Sequence, residues 1–231
     1  MIHLFALLSL LLCGVCYTGF QNSSHFHNTS NRRSLLLLVF GGALLLRLLL
    51  AYTTHGFSND IACFAAWADR IFTLGPGQFY SAEMFTDYPP GFMYVLYLIG
   101  ALRSLLQIPY YSDLHILLLK LPAILCDIAC GFLLYREAVK RLHFSDLQGI
   151  FAASAYLFQP AVILNSSCWG QVDSVYTLMI ILMCLFLMKG NLLPAYAVYG
   201  LGVLLKPQML IFTPVLLAGI WDHVFLQDFS W

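Results

Sequence analysis

Apolar residues run along this chain in long, nearly unbroken blocks, separated by short stretches where polar residues, Gly and Pro collect. The blocks lie at residues 2–20, 34–52, 89–107, 113–136, 147–165, 172–189, 193–205 and 207–221. At about 1.5 Å per helical residue, the longer ones match a bilayer core of about 30 Å, so each predicts a membrane-crossing helix. The last two are short for full spans and predict helices that are tilted, broken or buried in protein. Residues 2–20 predict an uncleaved anchor: a cleaved signal peptide usually opens with Lys or Arg, and only His3 precedes this run. The expected fold class is all-α, a polytopic transmembrane bundle of about 7–8 apolar helices. Residues 1–33 form its anchor and polar linker, and 34–231 its main module. No internal repeat, low-complexity segment or inverted pair of interrupted helices is present.

The interval 53–88 breaks the pattern. It sets Asp60, Asp69, Glu83 and Asp87 against a single Arg70, among Gly56, Gly75, Pro76 and Gly77, and leads into Pro89 and Pro90. Inside it, Ile61, Phe64, Ala65, Ala68, Ile71 and Phe72 recur at helical spacing, which predicts an amphipathic helix over 59–74 ended by Gly75. Trp67 suits an interfacial position on that helix. Basic residues mark the cytoplasmic side, so Arg32 and Arg33 put the 21–33 linker inside and this acidic loop outside. By the same rule Arg136, Lys140 and Arg141 put 136–146 inside, and the loop 165–174 outside. Lys189 is inside again, which returns Lys206 to the outer face. Two full crossings at 89–107 and 113–136 would contradict these charges. Either Pro109 and Pro122 break the second run into a re-entrant pair, or one of the two runs does not fully cross.

Composition fits lipid as the solvent. Hydrophobic residues make up 61% of the 231 and charged residues only 10%, against about half and about a quarter in soluble domains. Net charge is zero, so no electrostatic case exists for nucleic acid. The seven cysteines lie mostly inside apolar runs, which disfavours a disulfide framework, and Cys13-Gly-Val-Cys16 lacks the βαβ surroundings of a redox motif. The sequons at Asn22 and Asn28 are too common by chance to decide anything. No HExxH pair, Gly-x-Ser-x-Gly or Walker loop occurs, which argues against a zinc site, common hydrolases and direct ATP use.

The outer face gathers Asp60, Asp87-Tyr88-Pro89-Pro90, the loop 165–174 with Trp169, Gln171 and Asp173, and Lys206-Pro207-Gln208. Each has a structural reading beside a chemical one. Asp60 in a first helical turn favours the positive end of its own helix. Asp87 caps a span, Lys206 snorkels, and Trp169 joins an aromatic belt. Asp173 opens an apolar run beside Gln171, which offers both a donor and an acceptor. Arg47 sits thirteen residues into an apolar run, where it is paired or snorkels. Lys120 and Asp127 lie seven apart, on roughly one helical face unless Pro122 intervenes, and suit a structural pair better than a proton relay.

The ordered segments Gly56–Trp67, Asp87–Gly91, Lys120–Asp127, Trp169–Ser174 and Leu205–Gln208 together resemble the GT-C superfamily of polytopic glycosyltransferases, which use polyprenyl-phosphate-linked sugars. The likeness covers about residues 50–215. It is closest to bacterial mannosyltransferase-like proteins related to the second GPI mannosyltransferase, and more distant to dolichyl-phosphate-glucose-dependent glucosyltransferases. The resemblance implies a GT-C-like bundle that inverts configuration at the transferred sugar, with Asp60 as general base. It implies Lys206, and after it Lys120, as the cation beside the donor phosphate. Trp169, Gln171 and Asp173 would line the sugar pocket, with the indole stacked on a sugar face. Asp87, with Tyr88 and Gln208, would contact substrate, Asp87 touching the acceptor or a metal where one is used. No metal and no cofactor is expected. Members of the superfamily are longer, so the chain resembles an N-terminal portion of such an enzyme.

The expected function is therefore transfer of a hexose, mannose in preference to glucose, to an acceptor hydroxyl outside the cytoplasm. The expected partners are the bilayer and the lipid-linked donor. The expected location is a bacterial cell membrane, or the endoplasmic reticulum membrane in a eukaryote. A non-catalytic half-enzyme and a transporter or flippase are the competing classes. The first predicts that Asp60→Asn changes only stability, the second that substrate crosses sealed vesicles without bond cleavage.

Overall fold

The computed structural model describes residues 11, 14, 15, 17–19, 32–81 and 85–221. Glu83, Cys13, Cys16, most of the block 2–20 expected as an anchor, residues 21–31 with both sequons, and 222–231 lie outside the described residues. All regular structure among the described residues is helical. The chain divides into two compact units, each built from two stretches of sequence: Met1–Ile61 with Tyr111–Ser174, and Ala62–Tyr110 with Val175–Trp231.

The first unit contains α1 (Arg32–Thr53), the opening turn of α2 (Ser58–Leu74), α4 (Asp113–Lys140) and α5 (Asp146–Leu157). After α5 comes the short α6 (Pro160–Ile163), which runs on as one π turn, Leu164–Trp169. Local chemistry starts these helices where they start. The Ser112 hydroxyl accepts from His115 N at the head of α4, and Ser145 and Gln148 form a reciprocal capping box on α5. α1, α4 and α5 pack around Ala43, Tyr135, Ile150, Ala153 and Leu157. At the basic end of this unit, the Tyr135 hydroxyl donates to Asp146 Oδ1 at 2.8 Å and accepts from Arg32 Nε at 3.1 Å.

Pro122 does not break α4, which runs through it for 28 residues. Proline removes one backbone donor, but the buried Leu118, Leu119, Ala123 and Ile124 on either side keep the helix packed. The re-entrant break at Pro122 is thus absent. The other reconciliation agrees with α3 (Pro90–Leu105), whose 16 residues reach only about 24 Å, less than a bilayer core. The block 147–165 also differs from the expected single run. α5 and the segment Pro160–Trp169 meet at 51°, because Pro160 forces Gln159 out of the helical region. By length and composition, α1 and α4 can each cross a membrane, and this bent pair makes a third if it acts as one span.

The second unit contains the rest of α2, α3, the body of α7 (Asp173–Leu187), α8 (Leu192–Leu205) and α9 (Thr213–Trp221). A 3-10 turn, Pro207–Phe212, precedes α9. Met183, Ala195, Met209 and Leu216 form one cluster of its core. The predicted amphipathic helix is present as α2, with Ile61, Phe64, Ala65, Ala68 and Ile71 buried, and it ends at Gly75 in the left-handed region at φ 82°. Trp67 departs from its expected interfacial place. It is only 3% exposed, its Nε1 donates to the Phe85 carbonyl at 3.1 Å, and its ring meets Phe64 and Tyr88. A backbone acceptor for the indole N–H lets the whole ring enter the core.

Candidate functional site

Asp60 stands in the first turn of α2, half-buried, with its carboxylate met from one direction by the end of the π turn. Trp169 Nε1 donates to Oδ2 at 3.0 Å, and Gln171 Nε2 makes a short bond to the same oxygen. Among the described residues nothing bonds Oδ1. The result is a carboxylate of fixed direction with one oxygen held and one open.

The loop that delivers these donors is itself pinned by backbone contacts. Asn165 O accepts from both Gly170 N, at 3.1 Å, and Gln171 N, at 2.9 Å, while Asn165 Nδ2 donates to Asp173 Oδ2 at 2.8 Å. Phe57 N donates to the Trp169 carbonyl at 2.9 Å, and the two rings lie 5.2 Å apart. Gly56 permits this approach. At φ 78°, a Cβ there would lie 2.7 Å from both the Trp169 carbonyl and Ile61 Cγ1. Trp169 remains 50% exposed, and with Gly56, Phe57, Leu164 and Cys168 it lines a largely apolar cavity of about 290 Å³.

Lys120 lies in the same unit, fully buried. Its ammonium donates to Thr54 O at 2.7 Å, Thr54 Oγ1 at 3.1 Å and Ala51 O at 3.2 Å. Those acceptors lie at and just beyond the C-terminal end of α1, where carbonyls lack helical partners and a cation is favoured. The three donors of the ammonium are therefore all engaged.

Asp127 shares a helix with Lys120 but takes other partners. Its Oδ2 accepts from Arg47 Nε at 3.1 Å and Ser166 Oγ at 2.6 Å, its Oδ1 from Ser174 Oγ at 2.5 Å and Tyr156 OH at 3.2 Å. Arg47 is thus paired, and both charges are completely buried. Nothing in the sequence singled out Tyr156, Ser166, Ser174 or Thr54 for these bonds. The two serines flanking the Trp169 loop were the nearest thing to a signal.

The remaining predicted residues lie in the second unit. Lys206 is 9% exposed, and its ammonium lies 5.7 Å from the ring centres of both Tyr88 and Tyr176. Such a bracket holds a cation by its attraction to two ring faces. Tyr88 is half-buried against Phe64, Trp67 and Phe92, whereas Asp87 and Gln208 are exposed. Asp60, Lys120, Trp169, Gln171 and Asp173 therefore belong to one unit, and Asp87, Tyr88, Lys206 and Gln208 to the other. Among the described residues no three His, Cys, Asp or Glu side chains converge as a metal site would require. No family model, curated protein or solved structure matches the chain.

Proposed function

We propose that the chain is a membrane glycosyltransferase of the GT-C kind, moving a hexose from a polyprenyl-phosphate-linked donor to an acceptor hydroxyl on the extracytoplasmic side. Mannose is preferred to glucose on the motif likeness. The observation that carries this reading is the held carboxylate of Asp60, whose Oδ2 takes two N–H donors while no described residue bonds Oδ1. The acceptor hydroxyl donates to Oδ1. Its oxygen attacks the anomeric carbon as the proton passes to Asp60, and the bond from that carbon to the phosphate oxygen breaks with its electron pair. The sugar is transferred with inversion, and polyprenyl phosphate leaves. A positioned base of this kind contributes about 10²–10⁴-fold.

Charge grows on the leaving phosphate, so a cation beside it lowers the barrier. Lys206 takes that role in this reading on the motif likeness, and Lys120 stands second. The exposed Trp169 ring offers a face for a sugar, with Gln171, Asp173, Asp87, Tyr88 and Gln208 as further substrate contacts. Charges inside apolar helices are the main motive for a transport reading. Here Arg47, Lys120 and Asp127 find their partners within one unit, so no transport pathway is needed to account for them.

Membranes containing the chain, supplied with polyprenyl-phosphate-mannose or polyprenyl-phosphate-glucose, test the reading directly. Donor consumption that disappears in Asp60→Asn at equal expression is the expected result. Folded protein that consumes neither donor would overturn it.

A further inference from the structure

The Trp169 loop is bounded by two serines, Ser166 and Ser174, that are themselves buried. Both hydroxyls donate to one carboxylate, Ser166 to Asp127 Oδ2 at 2.6 Å and Ser174 to Oδ1 at 2.5 Å. Asp127 therefore clasps the loop at its two ends, one serine on each oxygen. Arg47 and Tyr156 complete its coordination from α1 and α5, so the clasp is anchored to three helices of the unit. Between the clasped ends lie the two donors that fix Asp60, Trp169 and Gln171.

We infer that Asp127 is the positioning residue of this site, setting the direction of the Asp60 carboxylate through Ser166, Ser174 and the loop between them. This rests on the transferase reading for its catalytic consequence, but the clasp itself does not. Among the described residues, the hydrogen bonds of Asp127 go to Arg47, Tyr156, Ser166 and Ser174 and none to Asp60. A carboxylate is required because four donors converge on it, and charge-assisted bonds to hydroxyls are short and directional. Releasing either serine lets the loop drift, and a displacement of about 1 Å at a reacting group can cost about 10²-fold in rate.

Removing Asp127 outright strands Arg47 in the core, so the test uses Ser166→Ala with Ser174→Ala, which keeps the ion pair. It is read in protein whose other tryptophans, Trp67, Trp221 and Trp231, are Phe. Acrylamide quenching of Trp169 should rise about twofold as the ring loses its fixed place. Transfer from polyprenyl-phosphate-mannose should fall about tenfold or more in kcat with KM little changed, the mark of lost transition-state alignment. Unchanged quenching in the double variant overturns the clasp, whether or not the protein transfers sugar. Raised quenching with unchanged kcat overturns its link to the reaction. If the unaltered chain transfers nothing while quenching still responds, the transferase reading fails and the catalytic role falls with it, while the clasp stands.

Discussion

Trp169 Nε1 reaches Asp60 Oδ2 at 3.0 Å, joining residues 109 apart in sequence through a bond that fixes the carboxylate without using its second oxygen. The indole ring also packs on Phe57, so its orientation does not depend on the bond alone. Trp169→Phe keeps most of that packing and removes the donor. Transfer at saturating donor should drop about ten- to a hundredfold, with thermal stability nearly unchanged. Initial rates and melting curves on the same preparation check both halves of that statement.

The two lysines should separate cleanly. Lys120→Met removes three bonds to Thr54 and Ala51 at the end of α1, leaving buried acceptors unsatisfied at about 1–3 kcal/mol each at most. Its main effect should be a lower melting temperature. Lys206→Met keeps an apolar side chain between Tyr88 and Tyr176 and should lower transfer from the lipid-linked donor. A Lys206→Met protein that transfers at the unaltered rate would contradict the assignment.

Breaking the Arg47–Asp127 pair from one side should be worse than removing both charges. A single Arg47→Met or Asp127→Leu leaves an unpaired buried charge, at about 3–5 kcal/mol. The double variant removes the uncompensated charge and should melt above either single one. Thermal unfolding of the three variants and the unaltered chain in one detergent gives the coupling.

Gly56→Ala should destabilise by about 1–3 kcal/mol or more, because a left-handed backbone and a contact with the Trp169 carbonyl act together. Gly41, inside α1 with nothing within 4 Å of an added Cβ, is the control. Gly41→Ala should be neutral or stabilising by up to about 1 kcal/mol. Denaturant midpoints of the two variants measure the contrast.

Periodic and terminal signals read well from sequence. The apolar face of α2 and its end at Gly75 follow from local spacing and from the freedom glycine has at φ 82°. Asp60, Trp169 and Gln171 are each legible as candidates, but their convergence on one oxygen is not. It depends on the π turn at Leu164–Trp169, for which the residues carry no known local signature. Asp127 shows the same boundary. Helical spacing offered Lys120, seven residues away, and the fold chose Arg47, 80 residues away in another helix. The place of Trp67 is ambiguous in sequence because an indole suits both a membrane interface and a core that offers its N–H an acceptor.

The separation between Arg47 and Asp127 also orders events while the chain is being made. α1 emerges first, with an arginine in its middle and no counter-charge on its own helix. Entering lipid alone, that side chain would carry a penalty of about 2.5–3.5 kcal/mol on insertion scales, set against the leucines around it. Its partner is synthesised 80 residues later. At elongation rates of about 5–20 residues per second, that is a wait of several seconds. The ten leucines of α1, at about 0.3–0.6 kcal/mol each, offset that penalty, so in a bilayer the arrival of α4 relieves Arg47 of an unpaired charge rather than admitting α1.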